Sequence, residues 1–187
     1  MENKLQVLYA IFEADPFIKT GGLGDVGGSL PAAICKEGVD MRVILPKLHT
    51  IPEQYRKRMK KISECTVPLG WRNQYCGVEM LKEKGVTYYF IDNEYYFKRE
   101  NLYGYYDDAE RYAFFSRAVL EMLEHLDIKP DIINSNGRIM GMEDVLCHLL
   151  TDNEAAMDFI RRRAAFQLGM MERLLDKLKG HMDFVWL

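Results

Sequence analysis

The run Lys19-Thr-Gly-Gly-Leu-Gly-Asp25 puts a cation, three glycines and a carboxylate within one short stretch. A lysine ammonium is a compact point charge suited to phosphate. Glycines let the backbone come close to a ligand and can adopt positive φ. An apolar stretch from Leu5 to Phe12 precedes the run, and a helix-like stretch from Val26 to Lys36 follows it. That order, strand then glycine-rich turn then helix, aims free N–H groups and a positive dipole end at an anion. The expected chemistry is phosphate binding at the carboxyl end of a first strand. The run is neither the Walker pattern nor a full dinucleotide fingerprint. A tight turn whose glycines only let the helix pack on the sheet fits the bare pattern too.

Other candidates surround this run. Glu13 and Asp15 leave the first strand at its carboxyl end, where ligands of open α/β sheets collect. Either can order sugar hydroxyls, and either can be an ordinary loop carboxylate. Asp25 stands at the expected helix start, as an N-cap or as part of the site. The stretch Tyr103-Gly-Tyr-Tyr-Asp-Asp-Ala-Glu-Arg111 gathers aromatic rings and carboxylates, a mixture suited to stacking on and hydrogen-bonding to sugar. Tyr105 and Asp107 are the candidate acceptor contacts there. Tyr112, Phe114 and Phe115 read as core. No histidine among His49, His125, His148 and His181 has a partner at metal-ligand spacing.

The elements that must hold these residues alternate. Strands are expected at residues 5–12 and Asp40–Leu45, then at Cys65–Leu69, Gln74–Lys82 and Val86–Ile91. Lys82-Glu-Lys-Gly85 is a hairpin signal. Asp107 to Leu126 carries Tyr112, Phe115, Val119 and Met122 on one helical stripe. Lys129-Pro-Asp-Ile-Ile133 opens a further strand. The basic segment Ile51–Lys61 reads as a solvated helix face. Strands alternating with helices argue an α/β, doubly wound parallel sheet.

Composition narrows the function. A net charge of −3 offers no electrostatic case for nucleic acid. No apolar run approaches the roughly 20 residues of a membrane span. Cys35, Cys65, Cys76 and Cys147 show no CxxC spacing, so neither a zinc site nor a disulfide framework is expected, and reduced thiols in the cytoplasm are.

Three motifs in order carry a family resemblance. Glu13-Ala-Asp-Pro-Phe-Ile-Lys-Thr-Gly-Gly-Leu-Gly-Asp-Val-Gly-Gly-Ser-Leu-Pro31 closely resembles the N-terminus of bacterial glycogen synthases and plant starch synthases. Arg42-Val-Ile-Leu-Pro-Lys47 looks like their second strand. The stretch from Tyr96 to Arg117 looks like another of their signatures. The resemblance covers residues 1 to about 133 and implies the Rossmann-like N-terminal half of a GT-B glycosyltransferase. Such enzymes move glucose from ADP-glucose to the end of an α-1,4-glucan with retention, in glycogen biosynthesis. It implies that Lys19 contacts ADP-glucose and that Gly21, Gly22 and Gly24 let the backbone approach donor or acceptor. It names no protein nucleophile, so no catalytic residue is assigned. No metal and no cofactor beyond the donor are implied. Most nucleotide contacts in the family come from a second domain absent here, so this chain alone is expected not to turn over. A non-catalytic glucan- or nucleotide-sugar-binding role is the alternative.

After residue 133 the chain changes character. All eleven tyrosines lie before residue 113, and six of eleven methionines lie from Met140 onward. Where the family has a His-x-x-Asp-Trp-type motif, this chain reads Asn134-Ser-Asn-Gly-Arg-Ile139. Residues 134–187 read as a helical tail whose amphipathic helix begins at the capping box Thr151-Asp-Asn-Glu154. From about Gly137 the tail loosely resembles uroporphyrinogen decarboxylase-like proteins. Without a linker at the join, the expectation is a chimera with its seam near Asn134–Arg138.

Overall fold

The computed structural model describes residues 4–126 and 128–136. The expected amphipathic tail helix and the residues beyond it lie outside these. The described residues form a six-stranded sheet in the order β3-β4-β5-β2-β1-β6. Its strands are β1 (Gln6–Ile11), β2 (Asp40–Pro46), β3 (Lys60–Leu69), β4 (Arg72–Glu83), β5 (Val86–Asp92) and β6 (Ile132–Asn136). The helices are α1 (Gly22–Lys36), α2 (Glu53–Arg56), α3 (Glu94–Phe97) and α4 (Asp108–Met122).

Four strands, β5, β2, β1 and β6, run parallel. β3 and β4 join as an antiparallel extension on β5. The parallel-dominated α/β sheet expected from the alternation is thus present, and the expected hairpin adds two antiparallel strands at one edge. The reason is local. Lys84 and Gly85 take φ of +49° and +82°, the twist of a two-residue hairpin turn. That turn reverses the chain at the hairpin signal, so β4 cannot run parallel to β5. β3 also begins at Lys60, inside the segment expected to be helical; only Glu53–Arg56 is helix there. Basic side chains solvate an edge strand as readily as a helix face.

β1 is an interior strand, paired with β2 on one side and β6 on the other. Leu8, Tyr9 and Ile11 within it, and Phe12 just beyond it, are fully buried. Such two-sided burial explains its continuous apolar run. Phe12 meets Tyr112 and Phe115 edge to face, with ring centroids 5.0 and 4.8 Å apart. The α4 stripe of Tyr112, Phe115, Val119 and Met122 is buried, as its spacing requires. A 3-10 turn, Leu123–His125, ends that helix earlier than Leu126. Ile132 and Ile133 enter β6, which pairs with β1 as far as Asn136 opposite Ile11. Asn136 donates its amide to the buried Tyr9 hydroxyl at 3.1 Å.

Truncating Phe115 to alanine removes a ring with no exposed surface. The expected loss is about 3–5 kcal/mol, read as a lower midpoint in urea with an unchanged m-value.

Candidate functional site

The glycine run lies where the strand order predicts, between β1 and α1 at the carboxyl edge of the parallel strands. Its helix, however, starts at Gly22 instead of Val26. Glycine has low helix propensity, so tertiary packing must hold this first turn. Gly24, Gly27 and Gly28 show how. A Cβ on Gly27 would stand 2.2 Å from the Glu13 carbonyl oxygen, and one on Gly28 would stand 2.4 Å from that of Asp15. One on Gly24 would stand 2.9 Å from the Lys19 side chain. The Asp15 N–H donates to the Gly24 carbonyl at 2.9 Å. Helix and loop thus touch backbone to backbone, and the loop is further anchored by Phe17. Its ring packs against Tyr55, Tyr88 and Phe90 at 4.8–5.2 Å.

Gly21 and Gly22 behave differently. Among the described residues, nothing beyond the adjoining backbone lies within 4 Å of a Cβ at either position. Neither has the positive φ found at Gly38, Gly70, Gly85 and Gly104. The run therefore draws on the glycines' missing side chains and not on their access to left-handed backbone. Gly21 is the N-cap and offers no side chain to the first-turn N–H groups. A small, uncapped helix start remains, open on its outer side, which is what a close-lying anion requires.

Lys19 and Asp25 face each other across this turn, with Nζ 2.5 Å from Oδ1. Both are about half exposed. The Asp25 carboxylate raises the lysine pKa through its hydrogen bond and its charge, so Lys19 stays protonated. Asp25 lies inside the first turn and makes no cap; its partner is the lysine.

Glu13 is buried, at 3% exposure. Its carboxylate accepts from the Thr20 N–H at 2.6 Å, from the Thr20 hydroxyl at 2.8 Å and from the Tyr103 hydroxyl at 2.8 Å. Its oxygens therefore clamp two loops together. Asp15 packs against Gly28 at the start of that loop.

The second loop, residues 98–107, is built on arginines. Arg111 has no exposed surface. It donates to the carbonyls of Tyr96 and Leu102 at 2.8 and 3.1 Å and to the Asp108 carboxylate at 2.5 Å. Arg99 donates to Asp107 at 2.7 Å. Both guanidinium groups lie against the Tyr105 ring, 5.3 and 5.2 Å from its centroid. Asp107 is 9% exposed. Tyr105 and Asp107 thus serve the loop's own framework, while Tyr106, 97% exposed, is the ring left open. Sequence reasoning missed Arg111 and Tyr103. An arginine beside a stripe of tyrosine and phenylalanine reads as surface, and Tyr103 meets Glu13 from 90 positions away. A further pocket of about 190 Å³ lies at the carboxyl ends of β2 and β5, lined by Lys47, His49, Arg56 and Lys98 among others.

A parallel-dominated sheet with an open, glycine-bearing helix start at its carboxyl edge defines a Rossmann-like α/β class of domain. The comparisons with known proteins narrow that class. The starch synthase catalytic domain family matches residues 6–161, and the chain belongs to that family. That match runs past the change of character at residue 134. A glycogen synthase of Caldicellulosiruptor saccharolyticus is 60% identical over 132 residues, which is 71% of this chain and 28% of that protein. A glycogen synthase of Geobacillus thermodenitrificans is 55% identical over 138 residues, 74% of this chain and 28% of its own length. Among solved structures, the catalytic domain of starch synthase IV from Arabidopsis thaliana, bound to ADP and acarbose, superposes with a TM-score of 0.64 at 29% identity. It covers 71% of this chain and 28% of its own. The chain therefore spans a little over a quarter of the relatives it matches.

Two measurements check the site's construction. Gly27→Ala forces a Cβ into the Glu13 carbonyl, and its thermal midpoint should fall, by an overpacking cost of about 1–3 kcal/mol. Asp108 is held below the usual carboxylate range: burial opposes this, but the Gly104 N–H and Arg111 outweigh burial. A carboxylate with a depressed pKa stabilises the fold above its unfolded pKa and stops doing so as pH falls through the folded one. Asp108→Asn should therefore be less stable than the parent at neutral pH. The difference should close only as the pH drops below the ordinary value of 3.8.

Proposed function

We propose that this chain forms the N-terminal half of the cleft of a retaining glucosyltransferase that extends an α-1,4-glucan from ADP-glucose. Family membership supports the activity. The observation that carries the site is the empty space over Gly21 and Gly22. Among the described residues no contact and no special φ explains these glycines, which favours a ligand as the reason for them.

In this reading the α1 N-terminus receives the donor's phosphates, and Lys19 neutralises charge as the diphosphate leaves. Fixed donors and cations do this without reorganisation. Asp25 holds Lys19 over the turn and must yield it, at least in part, to the phosphate. Glu13 fixes the loop through Thr20. Tyr105 and Asp107 shape the acceptor side, with Tyr106 as the open ring for stacking on sugar. Gly24 lets Lys19 cross the turn. The donor ADP-glucose is a substrate, and no metal or other cofactor enters the scheme. The ADP and acarbose bound to the solved neighbour fit the same pairing of nucleotide and glucan.

The second domain of the family supplies most nucleotide contacts, so the chain taken alone binds weakly and does not turn over. The chimera reading, with a tail that loosely resembles uroporphyrinogen decarboxylase-like proteins, falls largely on residues outside those described.

Calorimetric titration with ADP-glucose tests the proposal. Lys19→Ala should weaken binding by roughly tenfold to a hundredfold, as loss of a charged hydrogen bond does. An unchanged affinity would remove Lys19 from the site. Incorporation of labelled glucose into glycogen by the chain alone would overturn the claim that it does not turn over.

A further inference from the structure

The antiparallel ladder of β3 and β4 sets Cys65 directly opposite Cys76. Opposed residues in such a ladder have Cα atoms about 4.5–5.5 Å apart and side chains on one face. A disulfide needs Cα atoms about 4.4–6.8 Å apart, so the backbone already has the required spacing. Each thiol lies close enough to the other to influence its ionisation. Both are reduced. Cys65 Sγ also lies 3.2 Å from Met122 Sδ on α4. The pair is asymmetric, since Cys76 has no exposed surface while Cys65 is half-buried. Cys65 is thus the more exposed member of the pair.

We propose that Cys65 and Cys76 form an oxidation-sensitive dithiol site that reacts with small disulfides of the glutathione class and closes to an intrachain disulfide. The Cys65 thiolate attacks one sulfur of the oxidant, whose sulfur–sulfur bond breaks and releases one thiolate. Cys76 then loses its proton, attacks the Cys65 sulfur of the mixed disulfide and expels the second thiol. The two cysteines together give up two electrons and two protons, and the oxidant becomes two thiols.

The same sulfurs, with Met122, make a donor set of the kind that soft metals take. Metal binding would require standing thiolates. Burial pushes both thiols up, and Glu121 near Cys65 and Asp92 near Cys76 push the same way. The uncharged disulfide suits this surrounding better than a charged thiolate pair. The scarcity of thiolate also makes the reaction slow at neutral pH and faster in mild alkali. Closure would tie the two strands under α4, on the part of the sheet remote in sequence from the glycine run. This inference is independent of the carbohydrate reading.

The test uses the full, reduced chain incubated with oxidised glutathione, then alkylated and mapped by peptide mass. The expected product is a Cys65–Cys76 linked peptide pair, lighter by two hydrogens and reversed by dithiothreitol. Its formation should quicken as pH rises, and the oxidised chain should melt at a higher temperature. Cys76→Ser should stop the reaction at a glutathione adduct on Cys65. Recovery of both cysteines as alkylated, as separate glutathione adducts, or linked instead to Cys35 or Cys147 would overturn the proposal.

Discussion

The buried carboxylate of Glu13 is the interaction on which the site depends. It leaves the end of β1 with almost no exposure and takes three donors from two different loops. Through Thr20 it sets the path of the chain into α1, and through Tyr103 it draws the 98–107 loop against that path. A carboxylate sealed from water needs such donors, because an unsatisfied one would carry its full desolvation cost. The glycine run is therefore held by a polar clamp on one side. On the other side, helix and loop backbones touch at Gly27 and Gly28. Rigidity in the surroundings is what leaves Gly21 and Gly22 free to remain empty-sided.

A second layer of fixed charge supports this clamp. Arg111 uses its guanidinium to collect carbonyls of Tyr96 and Leu102, groups that no helix or strand pairs. Arg99 and Asp107 close the same loop. Close by, Glu110 accepts from both the Tyr96 hydroxyl and Arg72, each at 2.6 Å, which ties the loop base to the β3–β4 hairpin. Burial and the neighbouring Glu110 charge push the Tyr96 phenol well above its ordinary value, so it remains a donor there. Tyr103 and Tyr105, read from sequence as part of a sugar-binding stretch, also hold this framework.

Much of the architecture was legible from local pattern. The apolar run of β1, the stripe of α4 and the turn at Lys84-Gly85 each follow from spacing or from a turn residue. The place of the glycine run at a strand's carboxyl end followed as well. What could not be read was non-local. The start of α1 at Gly22 contradicts glycine's propensity and depends on packing against Glu13 and Asp15. The division of one glycine cluster into packing positions and open positions appears only when the space around each is known. Tyr103 and Arg111 carry no motif that distinguishes them from their neighbours. Asp25, open to two readings in sequence, pairs with Lys19 across the turn and makes no cap.

The central claim is that Gly21 and Gly22 are kept small for a ligand and not for the fold. The direct measurement is ADP-glucose binding to Gly22→Val beside its thermal midpoint, against the parent chain. The account predicts a midpoint shifted little, since the side chain enters open space, together with binding weakened by an order of magnitude or more. Binding equal to the parent's at an unchanged midpoint would contradict it and return the run to a mere turn.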